Sequence, residues 1–399
     1  MPARTTAAAP ASKFRWYVAS WKFWLWFVFI KLVMHWVEEL SFVQRGTLGG
    51  FDAAMAVTSR PVAEHTAIVA ITAEDVAQTF AGRRPVPPDS LLRVVRELGE
   101  MRPAVLVIDV FTDGPAYLNR PLAAPATPAV WAQSADTTAG TLVPVLGGRN
   151  DPGIRAGFAA MLAEEDGLVR RVRLRFSVEH PALGEVVTTL PYAAVQACPV
   201  EESDWCRLAH RLPSDTSSVA LRSYEREPAF FTLSDVRAAA SDTAGPSPLR
   251  DKVVVLGFAD GSDQLATASG IRPGPQVVAD AIETLIDPRG GIRRMPDWLA
   301  WTLDILAAIF VAAVQFALHS RPSLAAFFTL AATVAVYFVS WLLLIWLGYW
   351  VGVVPVMVGM WMEQLFEQVR GTSHPTSPPP WAAWIAGTWR RAVAKSDGH

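Results

Sequence analysis

Residues 324–362 run for 39 positions without one Asp, Glu, Lys, Arg or His. At 1.5 Å per residue a single helix of that length reaches roughly 58 Å, twice the ~30 Å hydrocarbon core of a bilayer. The run has to double back. The bend belongs at Leu347-Gly348-Tyr349-Trp350-Val351-Gly352, where glycines free the backbone and aromatic rings suit a headgroup layer. The expectation is two antiparallel membrane spans, residues 324–347 and 353–368.

Two further apolar runs complete the set. Residues 298–318 contain Asp304 and Gln315, and residues 16–37 are Trp-rich and interrupted by Lys22, Lys31 and His35. No small-residue cleavage site follows the latter, which reads as an uncleaved signal anchor; an amphipathic helix lying on the membrane surface is the competing reading. Four spans put both termini on one side of the membrane. The segments on that side carry Arg4, Lys13, Arg15, Arg321, Arg370, Arg390, Arg391 and Lys395, whereas the turn at 348–352 carries no basic residue. By the positive-inside rule, residues 1–15 and 371–399 are cytoplasmic. Residues 38–297 then face the periplasm from a bacterial inner membrane.

Charge divides along the same line. Residues 38–297 hold 33 acidic and 25 basic side chains, a net of −8, and the remainder nets +6. Basic anchors with a mildly acidic domain suit a lipid bilayer and disfavour nucleic acid as a partner.

The middle segment alternates strand and helix. Ala67-Ile68-Val69-Ala70-Ile71 is an apolar, partly β-branched run, and residues 90–101 place apolar side chains at helical spacing behind Asp89. Ala104-Val105-Leu106-Val107-Ile108-Asp109 is a buried-type strand, so the three form a βαβ unit. The fold class is α/β, with a largely parallel sheet flanked by helices plus the four membrane helices. Later strands are expected at 142–146 and 253–256, and a helix at 276–286. Arg171-Val172-Arg173-Leu174-Arg175-Phe176 alternates charge and hydrophobe, as a half-exposed strand does. Residues 121–138 read as a low-structure insertion.

Several of these segments resemble the type-two CHASE domain, an extracytoplasmic sensory domain associated with cyclases and histidine kinases. They are Ile71-Thr72-Ala73-Glu74-Asp75, Pro85-Val86-Pro87 and Val107-Ile108-Asp109-Val110-Phe111. Glu165-Asp166-Gly167-Leu168-Val169-Arg170-Arg171-Val172-Arg173-Leu174 carries the most specific likeness. Leu249-Arg250-Asp251-Lys252-Val253-Val254-Val255-Leu256-Gly257, with Asp263 and Pro273-Gly274, resembles the closing segment. The likeness covers roughly residues 40–368. Two positions depart: Val278-Ala279 stands where the family often has His-Ala, and Arg84-Pro85-Val86 replaces a Trp-Pro-Trp. Family members usually continue into a cyclase, kinase or phosphodiesterase module. Here a Pro-rich link and a Trp-rich, basic-ended segment, 381–395, follow the last span, so the output is expected to belong to another protein. That segment reads as a helix lying on the inner membrane surface or docking on a partner.

The candidate sites follow from this topology. Ligands of open α/β sheets bind at the carboxyl ends of the strands. Glu74, Asp75, Asp109, Asp113, Asp260 and Asp263 stand there and line a cleft for a cation or an amine; equally, Asp after a strand is ordinary turn chemistry. Asp166-Gly167 reads as the turn into the arginine strand. Arg170 and Arg171 clamp an anion on one reading and pair with neighbouring carboxylates on the other. Cys198 and Cys206, eight positions apart outside the membrane, are expected to form a disulfide rather than a metal site. No His, Cys or Ser completes a catalytic constellation, and the resemblance implies no catalysis; no cofactor and no metal are expected. Two functions fit: a sensor signalling to a separate cytoplasmic partner, or a structural subunit that docks other proteins. A homodimer through the membrane helices is compatible with either.

Lys31 lies six residues before the outer end of its span and Asp304 six after the outer start of its own, both about 9 Å below the interface. A lone charge there costs ~2.5–3.5 kcal/mol on insertion scales, which a Lys31–Asp304 ion pair would offset; the alternative is that each side chain snorkels outward alone. If they pair, Lys31→Asp with Asp304→Lys restores the membrane-inserted yield that either single change lowers. A double exchange as damaging as either single one contradicts the pair.

Overall fold

The computed structural model describes residues 62–118, 127–136, 141–148, 154–161, 166–177, 186–199, 227–241, 246–261, 263–287 and 322–347, with shorter runs and single positions elsewhere. The chain forms two compact units, residues 55–293 and residues 1–54 with 294–399.

Among the described residues of the first unit, ten strands and five helices are the main elements, beside shorter pairings at 135–136 with 141–142 and 175–177 with 186–188. In chain order they are β1 (Thr66–Ile71), α1 (Ala73–Gln78), α2 (Pro88–Glu100), β2 (Val105–Asp109), β3 (Ala129–Gln133), β4 (Arg155–Phe158) and β5 (Arg171–Arg173). There follow α3 (Leu190–Ala197), β6 (Ser218–Ala220), β7 (Ala229–Thr232), α4 (Leu233–Ser241), β8 (Val253–Phe258), β9 (Gln264–Thr267), β10 (Gly270–Pro273) and α5 (Gly274–Ile286). Six strands form one sheet in the order β7-β1-β8-β2-β3-β4, and every pairing in it is parallel.

Unbroken apolar runs explain this. Strands buried on both faces have no use for polar alternation, and the central three read TAIVAI, VVVLGF and VLVID. Their side chains divide by parity. Ala67, Val69, Ile71, Leu106, Ile108, Val254 and Leu256 pack with Leu91, Val94, Val95 and Leu98 of α2 and Leu233 and Val236 of α4. Ile68, Val105, Val107, Val253 and Val255 face α3 and Val278, Ile282 and Leu285 of α5. Helices cover both faces of a parallel sheet.

Helix α5 is buried along its whole length. Its apolar positions meet the sheet, while Gln276, Asp280, Glu283 and Thr284 form a buried polar stripe at intervals of four, three and one. The two edge-side strands end alike. Thr72 and Thr232 each open the next helix by accepting from the N–H three residues on, at 3.2 Å, while Asp75 and Asp235 return the bond.

The structure corrects two expectations. Residues 142–146 are not a strand: only Thr141–Leu142 pairs, antiparallel to Ala135–Asp136, because Pro144 turns the chain into a 3-10 turn at Val145–Gly147. The stretch 121–138 is not simply an insertion, since Ala129–Gln133 inside it is an inner strand of the sheet. The arginine strand exposes Arg171, Arg173 and Arg175 and buries Val172 and Leu174, as its alternation implies. It is broken, however, into two pieces that pair with different partners.

In the second unit, helix α6 spans Pro322–Leu347 and stops at the expected bend. Among the described residues it alone is long and apolar enough to cross a membrane, over Ala326–Leu344. Phe327, Phe328, Val334, Phe338 and Trp346 are exposed on it, whereas Thr329, Thr333 and Ser340 are buried. Apolar bulk outward and small hydroxyls inward is the arrangement a lipid solvent favours. Lys31, Asp304 and most of residues 16–37, 298–318 and 353–368 lie outside the described residues, as do 381–395.

Packing is close where β4 meets α3. A Cβ on Gly157 falls 2.6 Å from the Leu190 Cα, whereas one on Gly99, in α2, meets nothing within 4 Å. Gly157→Ala is expected to destabilise the chain by about 1–3 kcal/mol and Gly99→Ala to stabilise it by up to about 1 kcal/mol, measured by denaturant unfolding. Equal effects contradict the packing.

Candidate functional site

Strands β1, β8 and β2 lie side by side, with Ala70 and Asp109 both opposite Gly257. The chain leaves β1 over the face covered by α2 and leaves β8 toward α5 on the opposite face. Connections that part to opposite faces open a crevice at the strands' carboxyl ends. Asp109, Asp260 and Asp263 stand at that edge.

Helix α5 closes one wall. A Cβ on Gly257 would lie 2.4 Å from Pro275 Cγ and 3.3 Å from the Asp109 Cβ. A Cβ on Gly274 would meet the Asp263 carboxyl group at 2.3–2.6 Å. Only glycine allows the first turn of α5 to come this close to strand and carboxylate. Asp263 is tied in further by its carbonyl, which accepts from the Gly274 N–H at 2.9 Å.

The electrostatics of this edge are uneven. Burial, and after it the negative charge of Asp263, pushes the Asp109 carboxyl up to about 7. Burial raises Asp263 as well. Two acids raised in one place favour holding a proton between them. Asp260 differs, because Arg84 forms an ion pair with it while its guanidinium lies 4.7 Å over the Phe258 ring.

The other expected acids make different contacts. Asp75 is buried, and its Oδ2 accepts from the Thr72 N–H at 2.9 Å and the Thr72 hydroxyl at 2.8 Å. Glu74 is exposed and accepts from Gln78 at 2.8 Å. Asp113 is exposed; its charge adds to the burial that pushes the Tyr117 hydroxyl up to about 12. Among the described residues no group of three or more His, Cys, Asp or Glu side chains is arranged to hold a metal ion.

Arg170 and Arg171 are engaged with carboxylates. Arg170 is buried and meets Asp166 at 2.7 Å and Glu164 at 3.3 Å, while Arg171 Nε donates to Glu164 at 2.6 Å. The Arg170 guanidinium holds Asp166 below its ordinary carboxylate value. Next to them the Val169 N–H donates to the Ala266 carbonyl of β9 at 2.8 Å. Cys198 and Cys206 form a disulfide at the end of α3, inside the α3–α5 core.

Sequence reasoning missed three contributors to the edge: Arg84, Phe258 and Gly274 as a wall. It also missed a second polar cluster, Glu227, Arg272, Gln276 and Asp280, around α5. The signal available was Gln276, Asp280 and Glu283 recurring at helical spacing within an otherwise apolar helix.

A family model described as the CHASE2 domain matches residues 24–314. No curated protein and no solved structure matches the chain.

An acid held above its ordinary value keeps its proton in the folded chain after the unfolded chain has released it. Stability therefore falls as pH rises from the ordinary carboxylate range through about 7 and levels off above that. Asp109→Asn removes this loss. Its thermal midpoint is expected to exceed that of the parent at about pH 8 and to match it at about pH 4; a lower midpoint at pH 8 contradicts the assignment.

Proposed function

The chain belongs to the CHASE2 domain family of extracellular sensory domains, and on that premise we propose a membrane-anchored sensor of the periplasmic face, read at the carboxyl edge of its sheet. Its ligand carries a cationic or hydrogen-bond-donating group that meets Asp109 and Asp263. The Arg84–Asp260 pair borders the same crevice and sets its charge balance. In this reading the chain performs no catalysis, needs no cofactor, and passes its state through membrane helices to a cytoplasmic partner protein.

One observation carries the proposal: a single buried helix touches both the crevice and the segment by which the chain enters the domain. The first turn of α5 packs on Asp263 and, through Pro275, on Gly257, the strand neighbour of Asp109. Its last turn holds Glu283, whose carboxylate accepts from the Glu64 and His65 N–H groups at 3.0 and 3.2 Å and from the Thr66 hydroxyl at 2.8 Å. Nine helical positions, about 14 Å, separate Gly274 from Glu283. A shift at the crevice reaches residues 64–66 through a rigid element rather than through a loop.

Gly274→Ala tests this coupling, because its methyl group must displace Asp263. Hydrogen exchange of the full chain in lipid nanodiscs should change at residues 64–66 as well as at 260–277. A change confined to 260–277 removes the transmission. Purification in mild detergent separates the sensor from the docking subunit: a stoichiometric, non-exchanging complex with other membrane proteins favours docking.

A further inference from the structure

The polar stripe of α5 is satisfied at three of its four positions. Gln276 Nε2 donates to Glu227 Oε2 at 2.8 Å, and Glu283 is filled by residues 64–66. Thr284 donates to the Asp280 carbonyl at 2.7 Å, so the Tyr224 hydroxyl, 3.1 Å away, donates to Thr284. Asp280 is the exception. Its Oδ2 accepts from Arg272 Nη1 at 3.1 Å, but its Oδ1 is buried with no hydrogen-bond partner. The residue is 7% exposed.

Charge does not balance there either. Arg272 Nη2 also pairs with Glu227 Oε1 at 3.0 Å, and Glu283 lies one turn along the helix. Two carboxylates, Asp280 and Glu227, thus share one guanidinium, and the Glu283 charge adds to theirs. Tyr224, against the stripe, is held neutral by burial, Asp287 adds negative charge on its side, and Glu64 and His65 lie at the Glu283 end. The other elements packed on α5, namely β1, β6, β8, β9 and α3, carry no charged residue. A buried ionised carboxylate with one orphaned oxygen is costly, and a proton is the one ligand that relieves it without needing a cavity.

We propose that Asp280 is a proton-operated latch on the β9–β10 hairpin: ionised, it holds Arg272 and the hairpin against α5, and protonated, it lets them go. Arg272 is the hairpin's own side chain, on β10. The hairpin is bracketed by Asp263 before β9 and Gly274 after β10, the two residues that meet at the crevice. Opening it therefore loosens the acidic edge and the Val169–Ala266 link together. Burial, opposed by Arg272 and reinforced by Glu227 and Glu283, pushes Asp280 up to about 7, so the latch turns over near neutrality. The proposal rests on the sensory reading for its purpose and not for its physics.

Hydrogen exchange of the full chain in nanodiscs, corrected for intrinsic rates, tests it at about pH 6 and pH 8. Amides of residues 264–272 should exchange about tenfold faster at the lower pH, the equivalent of one charge-assisted hydrogen bond. Asp280→Asn should exchange fast at both pH values while β8 stays protected, and Glu227→Gln should keep the pH dependence. A parent hairpin insensitive to pH, or an Asp280→Asn hairpin that keeps the difference, overturns the latch. Should Asp280→Asn not fold, Arg272→Gln takes its place: fast exchange at both pH values supports the latch, and a protected hairpin overturns it. A working latch in a protein that binds no cationic ligand would remove the crevice reading alone.

Discussion

The carboxylate of Glu283 closes this domain. It is 4% exposed, and its buried negative charge is met by two backbone N–H groups and one hydroxyl from residues 64–66. No cation offsets it in these contacts. Hydrogen bonds to a charged acceptor stabilise more than neutral ones, and removing them strands the charge. Helix α5 is thereby fixed to the first residues of β1, and the beginning and end of the domain share one anchor.

The rest of the architecture follows from what α5 must do at its other end. A parallel sheet needs helices on both faces, and the departure of β8 toward α5, opposite to that of β1, opens the crevice. Close approach of α5 to β8 depends on Gly257 and Gly274, which leave room for Pro275 and the Asp263 carboxyl group. The same helix carries a polar stripe that its apolar surroundings leave partly unmatched at Asp280. A helix that is buried and yet incompletely neutralised is suited to report on charge.

Much of this was legible in the chain, and the misses have physical causes. The central strands and α2 announce themselves because β-branched runs and helical periodicity leave little choice. The end of α6 at Leu347 was readable from the length of the charge-free run together with the glycines and aromatics that follow it. Strand β3 escaped because Ala-Val-Trp-Ala-Gln sits among Pro, Ala and Thr, and its place in the sheet comes from partners distant in sequence. Asp109 and Asp263 were visible as acids after strands. The different employment of Glu74, Asp75 and Asp113 was not, since a Thr-x-x-Asp cap and a side chain's exposure depend on how strands end in space. Arg84 and Asp260 lie far apart in sequence, and no local pattern joins them.

A double-mutant cycle between Glu283→Gln and Thr66→Val, measured by denaturant unfolding of the full chain, probes the anchor directly. A buried, charge-assisted bond at 2.8 Å predicts a coupling energy of about 1–3 kcal/mol between the two sites. A coupling near zero, with the two changes simply adding, would mean that α5 does not hold the entry of the domain.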